Sequence, residues 1–319
     1  MGGGNWSSST FSSFSNGISS APRSSVFKSR KINDDFDPRN IIKRESLSTV
    51  EHPHPTSIVV AFDVTGSMGG IPEAFIRTHL GDLMDTLVES EVVTDPQVCI
   101  CAVGDAYSDS APIQITHFES DNRVSRHLQD IYIEGGGGGT GSESYELAWY
   151  WFSEDSNVIL DSIKEGRKGI FFTIGDEKPY PKLSRSVIER FTGRVDKSSE
   201  SDVSFDSIIS NISDKFEAFH IIIEQGSNFT EDVASVWKSY IGERAIRVKD
   251  YTQICDVIKG LCLMVSGASL EKAIETSKNK DAAETALAPL QDSGLLTRAV
   301  GTGTMPLTVS SNHSAKRRL

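Results

Sequence analysis

No run of roughly twenty apolar residues occurs in the chain, so nothing in it reads as a membrane-spanning helix. Cysteine is scarce: the 319 residues include four, Cys99, Cys101, Cys255 and Cys262, and no Cys-x-x-Cys pair. That argues against a zinc or disulfide framework. Cys99 and Cys101 fall on one face of a buried-looking strand, and all four are expected to be small core hydrophobes in a reducing compartment. A hydrophobic signal core is missing from the N-terminus. Met1-Gly2-Gly3-Gly4-Asn5-Trp6 looks like a myristoylation start, but Trp6 stands where that pattern needs Ser or Thr. The expected location is therefore cytoplasmic, or a virion if the source is a phage.

Hydrophobic residues are also few, at 38%, and the ends account for most of the deficit. Residues 1–45 are rich in Ser, Gly and Asn, and residues 292–319 are polar, ending in Lys316-Arg317-Arg318-Leu319. The net charge of −12 is uneven: each of these ends carries +3, which leaves −18 on residues 46–291. A body so acidic lacks the basic face that phosphate contacts require, so no nucleic-acid partner is expected. It suits a divalent cation, although a plain solvated surface would also account for the charge.

The chain falls into three expected parts: an arm and linker over 1–55, a folded domain over 56–265, and a helix with a basic tail over 266–319. The arm reads either as a flexible tail or, through Trp6, Phe11 and Phe14, as a segment that docks on a partner or on its own domain. His52-Pro53-His54-Pro55 reads as a stiff linker. Beyond it, Ser57-Ile58-Val59-Val60-Ala61-Phe62 is a continuous β-branched run, the pattern of a strand buried on both faces. Similar runs occupy residues 98–103, 169–174 and 218–224, with a shorter one at 245–248. Residues 113–118 alternate as an edge strand after Pro112. Helical periodicity is expected over 71–90, 121–131, 143–152, 184–192, 204–213, 230–240 and 250–264, and as one further amphipathic helix, separate from the sheet, over 267–290. Strands alternating with helices predict an α/β fold with a doubly wound, Rossmann-like, mostly parallel sheet flanked by helices, with disordered termini.

In such a sheet ligands bind beyond the carboxyl ends of the strands. Three polar clusters fall there: Asp63-Val64-Thr65-Gly66-Ser67, Gly139-Thr140, and Thr173-Ile174-Gly175-Asp176. Their donors are hard oxygens, a set for Mg²⁺, Ca²⁺ or Mn²⁺ rather than zinc or copper. Residues 63, 65 and 67 are spaced so that one tight loop aims three side chains at one point. Five glycines, Gly135 to Gly139, lead into Thr140 and suit a loop passing close to a metal or a partner. Asp105, at another strand end, either supports the site or closes a turn.

Ile58-Val59-Val60-Ala61-Phe62-Asp63-Val64-Thr65-Gly66-Ser67 resembles the first strand and metal-ion-dependent adhesion site of von Willebrand factor A-type (vWA) domains, Asp-x-Ser-x-Ser. Gly138-Gly139-Thr140 resembles the family's threonine loop and Phe172-Thr173-Ile174-Gly175-Asp176 its last site strand; the likeness runs from about residue 56 to 265. Thr65 departs by keeping a hydroxyl in place of Ser, and Gly175-Asp176 reverses the usual Asp-Gly. The resemblance implies that Thr65 and Ser67 touch a Mg²⁺ directly, Thr140 directly or through water, and that Asp63 and Asp176 hold coordinated waters. One position then stays open for a partner's Asp or Glu. The implied protein is a non-enzymatic binding module of bacterial or phage origin, inside the cell, with AAA-type ATPases or complex subunits as typical family partners and no membrane partner.

Two rivals compete. The same strand resembles the nucleophile motif of haloacid dehalogenase-like phosphohydrolases, Asp-x-Asp-Gly-Thr, with Asp63 attacking phosphate; there Thr65 replaces the general acid. A structural component of an assembly or phage particle is the other. A phosphate-binding loop is excluded, because Gly135 to Ser142 contains no Gly-Lys-Ser/Thr.

Overall fold

The computed structural model describes residues 4–136, 139–194 and 201–293. Six strands build one sheet: β1 (Thr56–Asp63), β2 (Pro96–Val103), β3 (Ile113–Ile115), β4 (Gly169–Gly175), β5 (Phe216–Ile223) and β6 (Ala245–Val248). Their spatial order is β6-β5-β4-β1-β2-β3, all parallel except β3, which runs antiparallel at the edge. Every residue of β1 is buried, as a continuous β-branched run between two covered faces requires.

Helices cover both faces. They are α1 (Ser8–Ile18), α2 (Leu80–Glu89), α3 (Arg123–Gln129), α4 (Tyr145–Ser153), α5 (Arg185–Thr192), α6 (Phe205–Ile212), α7 (Glu231–Ile241), α8 (Ile254–Val265), α9 (Leu270–Glu275) and α10 (Lys280–Asp292). Alternation along β1 divides the core. Ile58, Val60 and Phe62 join α1, α2, α3, α8, α9 and α10 on one side. Val59 and Ala61, with Cys99 and Cys101, join α4, α5, α6 and α7 on the other. All four cysteines are free and buried. No described helix is long and apolar enough to cross a membrane.

Three expectations need correction. The helix expected over 71–90 is not uniform: Ile71–Ala74 leads into a π turn, Phe75–His79, before α2 begins. The single separate helix expected over 267–290 is two helices, α9 and α10, packed into the main core through Ala273, Ala283, Leu287 and Leu290. The chain breaks between them because buried Asp256 of α8 accepts from the backbone N–H groups of Lys278 and Asn279, both at 3.1 Å, while Asn279 caps α10. The Ser-rich arm, which composition alone shows no reason to fold, contains α1.

The arm docks on its own domain. Phe11 is 7% exposed, and its ring occupies the space a Cβ at Gly81 of α2 would need. Trp6 donates from Nε1 to Asp85 at 2.6 Å and packs at a tilt against Phe11, ring centroids 5.4 Å apart. His52 is also no free linker residue: it is 6% exposed, with Nε2 2.7 Å from the Gly4 carbonyl and 3.1 Å from Ser120 Oγ. The tail after Ser293, including Lys316-Arg317-Arg318, lies outside the described residues.

Candidate metal centre

Strand order reverses between β1 and β4, the neighbours from which the chain winds outward both ways. Phe62 pairs with Ile174 across them, so Asp63 and the residues after Gly175 emerge side by side at the switch point, where an open α/β sheet leaves its crevice.

Asp63 is fully buried. Its Oδ1 accepts from the Thr65 N–H at 2.8 Å and from Thr65 Oγ1 at 2.6 Å, an Asx turn that tightens the loop. Ser67 Oγ donates to Asp176 Oδ1 at 2.8 Å, and the two hydroxyl oxygens, Thr65 Oγ1 and Ser67 Oγ, stand 3.2 Å apart. Each hydroxyl has one proton, and each gives it to a carboxylate. The Thr65–Ser67 contact therefore sets lone pair against lone pair, an arrangement that a cation between them would relieve. Asp176 is fully buried too, its Oδ2 accepting from the Asn228 N–H at 3.0 Å.

Gly66 donates to the Gly136 carbonyl at 2.8 Å. The glycine run therefore passes against this loop at Gly135 and Gly136; Gly137 and Gly138 lie outside the described residues. Thr140 is placed differently. It is exposed, and its hydroxyl donates to the Ser142 carbonyl and meets Tyr180 Oη, both at 3.0 Å. Tyr180 Oη in turn donates to Asp105 at 3.1 Å. Thr65 bonds to Asp63 and Ser67 to Asp176, the two hydroxyl oxygens meeting between these pairs, and Thr140 stands in a separate hydrogen-bonded group. Asp105 closes a turn, accepting from the Tyr107 N–H at 3.2 Å, and also anchors the Thr140 side of the crevice.

Several residues of the crevice carry no motif. Tyr145, fully buried at the start of α4, donates from Oη to Asp63 Oδ2 at 2.7 Å. Its ring fills the space a Cβ at Gly175 would need. The reversed Gly175-Asp176 order thus has a steric cause: a side chain at 175 would push the tyrosine off Asp63. Gly226, after β5, similarly leaves room for the Asp176 carboxylate. Glu143 and Glu177 are each 2% exposed, and each has an Oε2 without a hydrogen-bond partner among the described residues; Asn228 donates to the other oxygen of Glu177.

Burial drives the acidity of this group. It raises the Asp63 carboxyl to about 7, against the pull of the Thr65 and Tyr145 hydrogen bonds and with a push from Asp176. Burial, then the charges of Asp63, Glu177, Asp105 and Asp109, raises Glu143 to about 10. No lysine or arginine among the described residues forms an ion pair with Asp63, Glu143 or Asp176; the nearby Lys178 turns to Asp232 at 3.0 Å. Hard oxygen donors, surplus negative charge and orphaned buried carboxylate oxygens fit a divalent cation.

The fold is the α/β arrangement expected from the sequence, a mostly parallel six-stranded sheet covered by helices on both faces. No family model and no curated protein matches the sequence. Among solved structures, proximal thread matrix protein 1 from the mussel byssus is 11% identical over 66% of this chain and 48% of that one, with a TM-score of 0.41. The pilus adhesin SpaC of Lactobacillus rhamnosus GG is 11% identical over 70% and 31%, with a TM-score of 0.46. A von Willebrand factor type A structure from Catenulispora acidiphila is 13% identical over 67% and 43%, with a TM-score of 0.38. The chain spans less than half the length of each. Another structure of the thread matrix protein is described as having a zinc-occupied metal-ion-dependent adhesion site motif. These are similarities of fold and assign no role to any residue here.

Proposed function

We propose that this chain is a metal-dependent protein-binding module. Thr65 and Ser67 ligate a Mg²⁺ ion, Asp63 and Asp176 orient their hydroxyls and supply the balancing charge, and a partner's Asp or Glu completes the coordination. The observation that carries this reading is the pair of hydroxyl oxygens 3.2 Å apart, each already donating its proton to a buried carboxylate. Ser67 is half-buried and Gly66, Gly69 and Gly70 are exposed, so the hydroxyl pair opens toward the surface, where a partner could reach it. A bound ion would supply Lewis acidity toward that incoming carboxylate.

The phosphohydrolase alternative requires Asp63 as nucleophile. Asp63 is 0% exposed and both its oxygens accept hydrogen bonds, from Thr65 and Tyr145. A carboxylate with no exposed surface and three hydrogen bonds holding it has no open approach to phosphorus, and Thr65 is no general acid. Both points favour binding over hydrolysis.

Affinity capture in Mg²⁺ or in EDTA, with wild type and Ser67→Ala, tests the proposal. Partners retained only by wild type in Mg²⁺ support it; the same partners in every condition overturn it. Phosphatase turnover abolished by Asp63→Asn would favour the enzyme.

A further inference from the structure

Thr140 and Glu143 lie three residues apart on the same loop and meet opposite surroundings. Thr140 is exposed, and the Ser142 carbonyl and Tyr180 Oη engage its hydroxyl. Glu143 belongs to a two-residue strand, Ser142–Glu143, that pairs in parallel with Lys178–Pro179 just after Asp176 and Glu177. Two residues later, Tyr145 reaches Asp63. Glu143 is thereby held beside the loop after β4, two residues from the tyrosine that bonds Asp63. It is 2% exposed, its Oε2 is unpartnered among the described residues, and the charges that act on it most strongly are those of Asp63, Glu177, Asp105 and Asp109, all acidic.

A buried carboxylate needs a donor or a positive charge. A proton could satisfy Glu143 alone. A divalent cation would satisfy Glu143 and its neighbours together, and an oxygen left without a partner is where a ligand lone pair would be kept. Resting on the reading that Thr65 and Ser67 hold a cation, we propose that this loop's ligand to that cation is the carboxylate of Glu143 and not the hydroxyl of Thr140. The ion then has one direct carboxylate from its own chain. Such a site binds the cation more tightly than a hydroxyl set does, and it leaves the ion less electrophilic toward a partner's acid.

The test is Mn²⁺ binding to the full chain after chelator treatment, read by the electron paramagnetic resonance of free Mn²⁺. Melting in EDTA monitors folding. Glu143→Gln is expected to weaken Mn²⁺ binding about tenfold or more, the scale on which ligand charge tunes such sites. In EDTA it should melt close to the wild-type temperature, because burial already keeps the Glu143 carboxyl protonated and the amide replaces one neutral buried group with another. Thr140→Val should leave Mn²⁺ affinity essentially unchanged, since its hydroxyl engages the Ser142 carbonyl and Tyr180 and no residue of the ligand set. Glu177→Gln removes a charge from the same cluster and should cost less than Glu143→Gln; equal losses would overturn direct ligation in favour of a general field effect. Should Glu143→Gln not fold, Glu143→Asp keeps the charge but withdraws the oxygen by one methylene, and unchanged affinity in that variant overturns the proposal. Weakening by Thr140→Val with none by Glu143→Gln overturns it as well, while leaving the metal reading intact. A wild type that binds no Mn²⁺, or a Ser67→Ala that binds it undiminished, removes the metal reading itself.

Discussion

Two groups of buried acids in this molecule are handled in opposite ways. Between α2 and α8, Asp82 and Asp256 share Lys259, whose side chain is 1% exposed and whose Nζ lies 2.8 Å from one carboxylate and 2.9 Å from the other. Lys278 approaches Asp82 at 3.3 Å. Burial alone would raise the Asp82 carboxyl, but the hydrogen bond and charge of Lys259, with Lys278, outweigh it and hold the group below its ordinary value. At the crevice, burial pushes Asp63 and Glu143 upward with no basic partner to oppose it. The chain carries its own cation where the acids serve the fold. Where they line the surface crevice it leaves the charge open, as a site meant for a diffusible ion requires.

The largest expected effect breaks the compensated group. Lys259→Met should leave Asp82 and Asp256 facing each other uncompensated, a loss of about 3–5 kcal/mol for one partner of a buried pair. Asp82 is a quarter exposed on its side chain, so water relieves part of this and the lower end applies. Urea unfolding in EDTA measures it, and a loss under about 1 kcal/mol would mean that the lysine does not hold α2 to α8. The open group should respond to added ion instead. At a hundred times its dissociation constant, Mg²⁺ should stabilise wild type by about 2.7 kcal/mol, seen as a rise in melting temperature. Lys259→Met should keep that increment and Ser67→Ala should lose it; an increment retained in Ser67→Ala would place the ion elsewhere.

What the sequence made legible follows the same division between local pattern and contact through space. β1 and β4 announced themselves because strands buried on both faces must be continuously apolar, and Asp63-x-Thr65-x-Ser67 is a local spacing on one tight loop. The break between α9 and α10 was not legible, because its cause is the Asp256 carboxylate, more than twenty residues earlier on α8. The arm was legible only as one of two readings: Trp6, Phe11 and Phe14 suggest docking, but its Ser-rich composition hides α1 and the notch at Gly81 that takes Phe11. Within the crevice, the glycine run draws attention to Thr140, while the burial of Glu143 depends on strand pairing with Lys178–Pro179, a contact no local pattern announces. Tyr145 explains the reversed Gly175-Asp176 order only once its ring is seen over Gly175.

A smaller effect isolates the tyrosine. Tyr145→Phe keeps the ring over Gly175 and removes only the proton donated to Asp63. Loss of one hydrogen bond to a buried charged acceptor costs about 1.5–3 kcal/mol. The effect should fall near the lower figure, because Thr65 still donates twice to the other oxygen. Unfolding in EDTA reads it, and Mg²⁺ affinity should drop with it, since Asp63 is then free to turn. Stability unchanged in both conditions would mean that the Tyr145–Asp63 bond contributes nothing.

The two groups should also tilt stability with pH in opposite directions. Asp82 is held below its ordinary value, so the folded state releases its proton more readily than the unfolded chain does. Its contribution is present at neutral pH and lost as the pH falls below about 4. Asp63 is raised to about 7, so between its ordinary value near 4 and pH 7 the folded state binds the proton that the unfolded chain has released. Its contribution is therefore greatest in acid and is lost as the pH rises through 7. Relaxation and water entry on charging absorb much of the nominal linkage, and a fall on the order of 1 kcal/mol is expected between pH 5 and pH 8 in EDTA. Melting across that range should show the fall in wild type and in Lys259→Met. Asp63→Asn should make the fall shallower without abolishing it, because one titrating group is gone while Glu143, raised to about 10, remains, and saturating Mg²⁺ should flatten or reverse it, because the ion displaces the proton. A profile in EDTA that rises from pH 5 to pH 8 would put the crevice acids in the compensated class with Asp82 and erase the contrast between the two groups.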